Sequence, residues 1–378
     1  MKTPLSPSTN AEDLLESRRS QTVLSTARTA LCQAIVTALI LSSWPLGTYA
    51  QEAQSIHLAF SPDSTILAAG GGDRSANRFA ESDVFLWDVT TKQLRSKFHI
   101  QGLVADLAFS PDGREIAVGY DRRHDTKESG EVTVFDPKTG QQRFGLTVGQ
   151  IFGRLAFSTK GRHLYVLAEK AGDEWVVDAW DLDGRKVVRS LPTGNSRSMV
   201  LSNEGSLLAT LKGAGQVELW DVRNAGKVAA GELPVKWVAS CLAYFPGDNL
   251  LAAGTVLVQE DPLKGEVRLL DGTTAQLRRS LEIPKGGVSA LAFSSDGTMI
   301  AVGSIAKLLP LSSVEGELFV LDSRTGEVRH RLGKHRRPIS SIAFSPHDRF
   351  LATADESGVV KLWDTRSWES APLQVERQ

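Results

Sequence analysis

Cysteine is almost absent: the chain has two in 378 residues, Cys32 and Cys241. Cys32 sits in an apolar stretch near the N-terminus, so removal of that stretch leaves Cys241 alone and excludes an internal disulfide. The same scarcity speaks against a thiolate zinc site. An excess of charge is missing too. Lys and Arg number 43 against 44 Asp and Glu, a net of −1, so no basic face is implied and nucleic acid is not the expected partner. The seven histidines, among them His57, His124 and His335, fall at no metal-ligand spacing; Asp121, His124 and Asp125 come nearest and read as a solvated loop. Gly70-Gly71-Gly72 is followed by neither a helix nor a Lys-Ser/Thr pair, so it is not a phosphate loop, and no Gly-x-Ser-x-Gly occurs. The expectation is a chain with no catalytic residues, no metal and no cofactor.

The first fifty residues differ from the rest. Residues 1–28 are polar, with Pro4, Pro7, Glu12, Asp13 and Glu16. Arg18, Arg19 and Arg28 then precede the apolar run 31–41, followed by Pro45 and Thr48-Tyr49-Ala50. Basic residues, a short apolar stretch and a small residue at a cleavage point form an export-signal pattern. The run is short of the roughly 20 residues that a spanning helix needs. Cleavage after Ala50 would give Gln51 as the mature terminus and a net charge of −2. The alternative is an uncleaved membrane anchor over residues 31–50. The expected division is 1–50, a disordered N-terminus with signal or anchor, and 51–378, one folded domain placed outside the cytoplasm. Low cysteine use fits a bacterial-type export route.

What the chain has in abundance is repetition. One phrase recurs: LAFSPDS at 58–64, LAFSPDG at 107–113, LAFSTKG at 155–161, MVLSNEG at 199–205, LAYFPGD at 242–248, LAFSSDG at 291–297 and IAFSPHD at 342–348. A second phrase follows each and ends in Asp88, Asp136, Asp181, Asp221, Asp271, Asp322 and Asp364, spaced 48, 45, 40, 50, 51 and 42 residues apart. In each copy an apolar strand (a) runs into a turn patterned on Ser-Pro-Asp-Gly, where Pro, when present, sets φ and Gly tolerates the fourth turn position. A small, apolar strand (b) follows, as in Ile66–Gly70, Glu115–Gly119 and Phe350–Ala354. An alternating strand (c) ends in the Asp, and an outer strand (d) follows, as in Gln93–Ile100 and Gln141–Thr147. The last outer strand is expected over Ala371–Glu376.

This pattern resembles the WD40-repeat family over residues 55 to about 376. The resemblance implies an all-β fold, a seven-bladed β-propeller with four antiparallel strands per blade. It also implies a hydrogen-bonded tetrad of His, Ser or Thr, Asp and Trp in each blade, and here the chain departs. The Asp position, six residues before the Trp, holds Glu81, Ser129, Glu174, Ala214, Lys264, Glu315 and Ser357. Only blade 7 offers a near-copy, His335, Asp355, Ser357 and Trp363, with acid and hydroxyl exchanged. Trp87, Trp180, Trp220 and Trp363 read as core.

Insertions gather on one face. The b–c connections are long in blade 1 (Gly71–Asp83), blade 2 (Tyr120–Glu131), blade 5 (Thr255–Glu266) and blade 6 (Ser304–Glu317), forming an arc 5-6-7-1-2. Long loops on a rigid scaffold are where binding residues concentrate. Candidate partner-binding residues are Arg74, Arg78, Phe79, Arg122, Arg123 and His124 in the first two, and Leu308 and Leu309 in the sixth. The approach to strand a adds Phe152, Trp237, Arg336 and Arg337. The bland reading is that these arginines pair with nearby acids and stay solvated. The expected function is a non-catalytic scaffold for a protein or peptide partner. It would touch a membrane only through the N-terminal segment. The alternative is a metal- or quinone-dependent propeller enzyme, against which stand strands a and b, mainly Ala, Leu, Val, Gly and Ser.

Overall fold

A computed structural model describes residues 54–73, 81–124, 127–172, 174–213, 215–234, 236–246, 249–257, 263–305 and 315–373. The export segment, the domain boundary at residue 51, and Arg74, Arg78, Phe79, Leu308 and Leu309 lie outside these residues.

Seven four-stranded antiparallel sheets follow one another along the chain. Blade 1 is β1–β4 (Gln54–Phe60, Ile66–Asp73, Ser82–Asp88, Leu94–Ile100) and blade 2 is β5–β8 (Leu103–Phe109, Ile116–His124, Lys127–Phe135, Gln142–Gly149). Blade 3 is β9–β12 (Ile151–Phe157, His163–Lys170, Glu174–Asp181, Lys186–Leu191) and blade 4 is β13–β16 (Ser196–Leu201, Leu207–Lys212, Gln216–Asp221, Gly226–Glu232). Blade 5 is β17–β20 (Trp237–Tyr244, Leu250–Leu257, Lys264–Asp271, Leu277–Glu282) and blade 6 is β21–β24 (Gly287–Phe293, Met299–Ile305, Gly316–Asp322, Val328–His335). Blade 7 is β25–β28 (Ile339–Phe344, Phe350–Asp355, Val360–Asp364, Glu369–Leu373). The fold is a seven-bladed β-propeller, with its last strand two residues earlier than the sequence suggests.

The repeated phrases explain themselves in the turns. In the a–b turn the Ser hydroxyl accepts the N–H of the residue five places on: Ile66 to Ser61 at 2.9 Å, Glu115 to Ser110 at 3.0 Å, Phe350 to Ser345 at 3.0 Å. Gly113 sits at φ +69°, the left-handed region that only glycine enters freely. The Asp that ends strand c closes the c–d turn. Asp88 accepts the N–H of Thr90 at 3.0 Å and Thr91 at 2.8 Å, and Asp322 those of Arg324 at 2.9 Å and Thr325 at 2.7 Å. The Thr91 amide, with Arg95, lowers the Asp88 carboxyl to about 2.

Blades pack because small residues on strand b make room for the next blade. A Cβ on Gly119 would stand 2.0 Å from the Phe152 ring, one on Gly254 2.5 Å from Val288, and one on Gly303 2.9 Å from Ile339. Strand a is less regular than its sequence suggests. In every blade but the first, the register of strand a against strand b slips by one residue, at Ala105, Gly153, Arg197, Ser240, Ser289 and Ser340. Such bulges bend a strand and re-aim its side chains.

Among the described residues, no blade shares strands from both ends of the chain. The seam between blades 7 and 1 is a face-to-face contact. Leu67, Ala69, Trp87 and Val89 meet Ala352, Ala354, Val360, Leu362 and Leu373. The Ser340 hydroxyl donates to the Ile56 carbonyl across it at 3.1 Å. A fully buried aliphatic side chain contributes roughly 1.5–3 kcal/mol and such a hydrogen bond about 1, so apolar burial dominates the seam.

Blade 7 also contains a full tetrad, which corrects the exchanged assignment. Trp363 Nε1 donates to Thr353 Oγ1 at 3.0 Å; that hydroxyl lies 3.1 Å from His335 Nε2, and His335 Nδ1 lies 3.0 Å from Asp355. Thr353 on strand b, not Ser357, is the hydroxyl of the chain. Ser357 donates to Asp355 from outside it at 2.5 Å. Burial alone would raise the Asp355 carboxyl, but the hydrogen bonds from His335 and Ser357 hold it below its usual range. Blade 4 keeps a remnant, Trp220 Nε1 to Thr210 at 3.1 Å. Trp87, Trp220 and Trp363 are core, and Trp180 is half-buried.

Thr353→Val keeps the shape but strands two buried ring nitrogens, so it is expected to cost about 3 kcal/mol. Thr210→Val strands one and is expected to cost about 1 kcal/mol. Urea unfolding of both variants checks the difference; equal costs would mean the tetrad adds nothing to blade 7.

Candidate functional site

The long connection of blade 2 is not a loop. Strands β6 and β7 continue as a ladder, pairing Arg122 with Ser129, Arg123 with Glu128 and His124 with Lys127. The backbone hydrogen bonds carry on past the core because an antiparallel ribbon satisfies them without burial. Arg122, Arg123 and His124 are therefore strand residues of β6.

Beneath this hairpin, between blades 1 and 2, lies a groove of about 440 Å³. Tyr120, Arg122, Glu131 and Thr133 line it from the inner strands of blade 2, and Gln101 from the turn out of blade 1. Gly145 on β8 stands opposite Thr133, and an added Cβ there would meet nothing closer than 3.7 Å, so a missing side chain keeps the floor open.

The lining is ordered by its own hydrogen bonds. The Tyr120 hydroxyl donates to Glu131 Oε2 at 2.9 Å and lies 3.1 Å from Thr133 Oγ1. Ser129 donates to the other Glu131 oxygen at 3.2 Å. Burial, with Glu131 beside it, pushes the Tyr120 phenol above its ordinary range, so it stays a donor. Arg122 Nη2 donates to Gln101 Oε1 at 2.9 Å, and Nη1 lies 3.8 Å from Glu131. A guanidinium carries five N–H donors, and Gln101 takes one. At 30% side-chain exposure, Arg122 can offer others to a carboxylate or a main-chain carbonyl.

The other candidates scatter. Phe152 is core, not surface: 4% exposed, laid over Gly119, its N–H bonded to Asp121 at 2.6 Å. A residue expected on the approach to strand a is in fact inside β9, pointing back at blade 2. Trp237 opens β17, half-buried, with the guanidinium of the buried Arg268 5.0 Å from its ring. Arg336 is exposed and Arg337 half-buried before β25.

Sequence reading missed the polar set at the hub. The position just before the apolar phrase of strand a holds His57, Asp106 and Arg154 in three successive blades. Arg154 Nη1 lies 3.0 Å from His57 Nδ1 and 3.8 Å from Asp106. Asp106 also accepts the N–H of Leu155 at 3.0 Å and of Leu107 at 3.0 Å. Burial raises the Asp106 carboxyl and Arg154 opposes it. With its oxygens so engaged, this set ties blades 1, 2 and 3 together. Comparing the same position across copies would have found it. Among the described residues no group of three or more His, Cys, Asp or Glu could hold a metal ion.

One carboxyl near the Arg337 end of the arc is poised to titrate. Burial raises Glu356 to about 7, Arg337 opposes the rise, and Asp355 adds to it. An acid raised above its unfolded value of roughly 4.3 costs stability as pH climbs from that value to 7, and the cost stays constant above. Glu356→Gln is therefore expected to raise the melting temperature at pH 8 and leave it unchanged at pH 4. An equal gain at both would remove the titration as cause.

The WD40 repeat (WD domain, G-beta repeat) matches at residues 44–77, 275–306 and 326–364. WD repeat-containing protein SL1-17 of Schistosoma mansoni is 29% identical over 171 residues, 45% of this chain and 50% of that protein. WD repeat-containing protein 55 of Homo sapiens is 35% identical over 141 residues, 37% of this chain and 33% of that protein. EARP-interacting protein 1 of Caenorhabditis elegans is 25% identical over 196 residues, 49% of each. The chain thus spans half or less of the length of these relatives. All three are eukaryotic and lend the bacterial-type, exported reading no support. The blades described above agree with these matches: three stretches of this β-propeller match the WD40 repeat.

Proposed function

We propose that the chain is a non-catalytic platform that binds a protein or peptide, with the groove and hairpin between blades 1 and 2 as its working surface. The observation that carries this reading is the ordered lining around Arg122, a half-exposed guanidinium held by Gln101 and Glu131 over an open floor at Gly145. Such a groove suits an extended segment with a carboxylate or free carbonyls, which arginine recognises through its planar fork. One relative is named for an interaction. The second part of the proposal is a place outside the cytoplasm, supported by the pattern of basic residues, apolar run and Ala50 alone.

Two measurements test these parts separately. Crosslinked capture by the full chain, read by mass spectrometry, is expected to enrich one protein, and Arg122→Glu to weaken its capture at least tenfold, about 1.4 kcal/mol. Unchanged capture by a folded Arg122→Glu chain would remove the groove from the reading. N-terminal sequencing of the chain from its own cells is expected to begin at Gln51. A chain starting at Met1 in the membrane fraction would mean an anchor, and one starting at Met1 in the cytoplasm would overturn the location.

A further inference from the structure

One position can be compared across all seven blades. It lies on strand c, three residues before the terminal Asp, and pairs with one residue of strand d. It shares a face with the residue two places on, and in blade 2 that residue, Phe135, packs against blade 1. In blades 1 and 6 the position holds Phe85 and Phe319, each beside the cation of its strand d partner. Lys97 Nζ lies 5.4 Å from the Phe85 ring, and the Arg331 guanidinium 5.6 Å from that of Phe319. In blades 3, 4 and 5 it holds a buried charge offset within its own blade: Asp178 with Lys170 at 2.8 Å, Glu218 with Lys212 at 3.0 Å, and Arg268 with Glu266. In blade 7 Lys361 lies over the Trp363 ring. Blade 2 has the smallest pair of the seven, Thr133 with Gly145, and there the groove stands open.

The walls of this slot say what it can take. Part of the lining is apolar: Ile100, and Phe135, which stacks on Phe98 at 4.8 Å. Its charges are already offset. Arg122 and Glu131 lie 3.8 Å apart, and the Glu131 oxygens accept from Tyr120 and Ser129. His99, also in the lining, lies 3.3 Å from Asp83 and 3.6 Å from Glu81. A charged guest of the kind that blades 3, 4 and 5 carry would meet no counter-ion here, and a buried charge without one is costly. An aromatic ring needs none, and a ring is what blades 1 and 6 place at this position. The donors that Arg122 keeps suit a neutral carbonyl, because a carboxylate would also meet Glu131.

We propose that the slot at Thr133 and Gly145 is an anchor pocket for an aromatic side chain. The guest is an extended peptide of a partner protein. Its ring enters between blades 1 and 2 against Phe135 and Ile100, and a main-chain carbonyl beside the ring accepts from Arg122. Aromatic side chains seated in such pockets dominate many interfaces, and the guanidinium adds attraction for the ring face. This rests on the groove being the binding surface and adds which side chain fills it.

Titration of the full chain with the peptide acetyl-Ala-Ala-Phe-Ala-Ala-amide, followed by saturation-transfer NMR, tests this. Saturation is expected to reach the ring protons, and replacing the Phe by Ala to weaken binding at least tenfold. Thr133→Phe and Gly145→Leu fill the slot from its two strands, and the second leaves the Thr133 contact with Tyr120 in place. Each is expected to keep or raise the melting temperature and to weaken binding of the Phe peptide at least tenfold. Arg122→Glu is expected to weaken both peptides. A Phe peptide that does not bind, that binds no better than its Ala counterpart, or that binds as well after the slot is filled would overturn the inference. If Arg122→Glu still weakens binding in that event, the groove stands and only the anchor falls; if it has no effect, both fall.

Discussion

Everything in this molecule depends on the fact that a four-stranded sheet with two apolar faces cannot cover either face by itself. The core is split into clusters that each span neighbouring blades, such as the one uniting Val84, Leu86, Val104 and Ile116 across blades 1 and 2. A blade is therefore only as stable as its two neighbours, and the last contact made, between blades 7 and 1, completes the set. That contact has no strand ladder across it. Its strength comes from apolar area, from the Ser340 hydrogen bond, and from the tetrad that stiffens blade 7 behind it. Among the described residues, the one full tetrad lies in the blade that must wait for a non-local neighbour.

The same constraint explains the variation among blades. Where packing requires a particular residue, the copies largely agree: Ser at the start of the a–b turn in every blade but the fifth, which has Phe245, Asp at the end of strand c, and a glycine on strand b where the next blade presses close. Where packing is indifferent, they diverge. The b–c ribbons and outer edges face water, so they can lengthen, gain arginines or lose them without weakening the ring. The groove at Arg122 is a product of that freedom.

Much of the fold was legible because its determinants are local. Ser-Pro-Asp-Gly and the terminal Asp act within seven residues, and seven copies in phase leave no other architecture. What was not legible depends on register between strands. The slip at Ala105 and its equivalents turns strand a at one residue in blades 2 to 7, and no spacing in the sequence marks it. Beside the slip at Gly153, Phe152 lies inward over Gly119, and Asp106 and Arg154 meet His57 of the unslipped first strand at the hub. The Thr353 hydroxyl was missed for a similar reason: its partners Trp363 and His335 lie on strand c of its own blade and at the end of strand d of blade 6. Arg122 was found because it stands in an insertion. Tyr120, Glu131 and Gly145 were not, because they look like ordinary strand residues until the ladder pairs them.

The plain order of the blades has a consequence for synthesis. Because each blade is one continuous stretch, blade 1 leaves the ribosome first and is covered last. The faces around Leu67 and Trp87 must stay exposed until Leu362 and Leu373 have been made, roughly 300 codons later. At roughly 5–20 residues per second that is about 15–60 s, during which a finished sheet waits with its oily side open. How long that surface faces water is thus set at birth, by the order in which the parts of the chain appear.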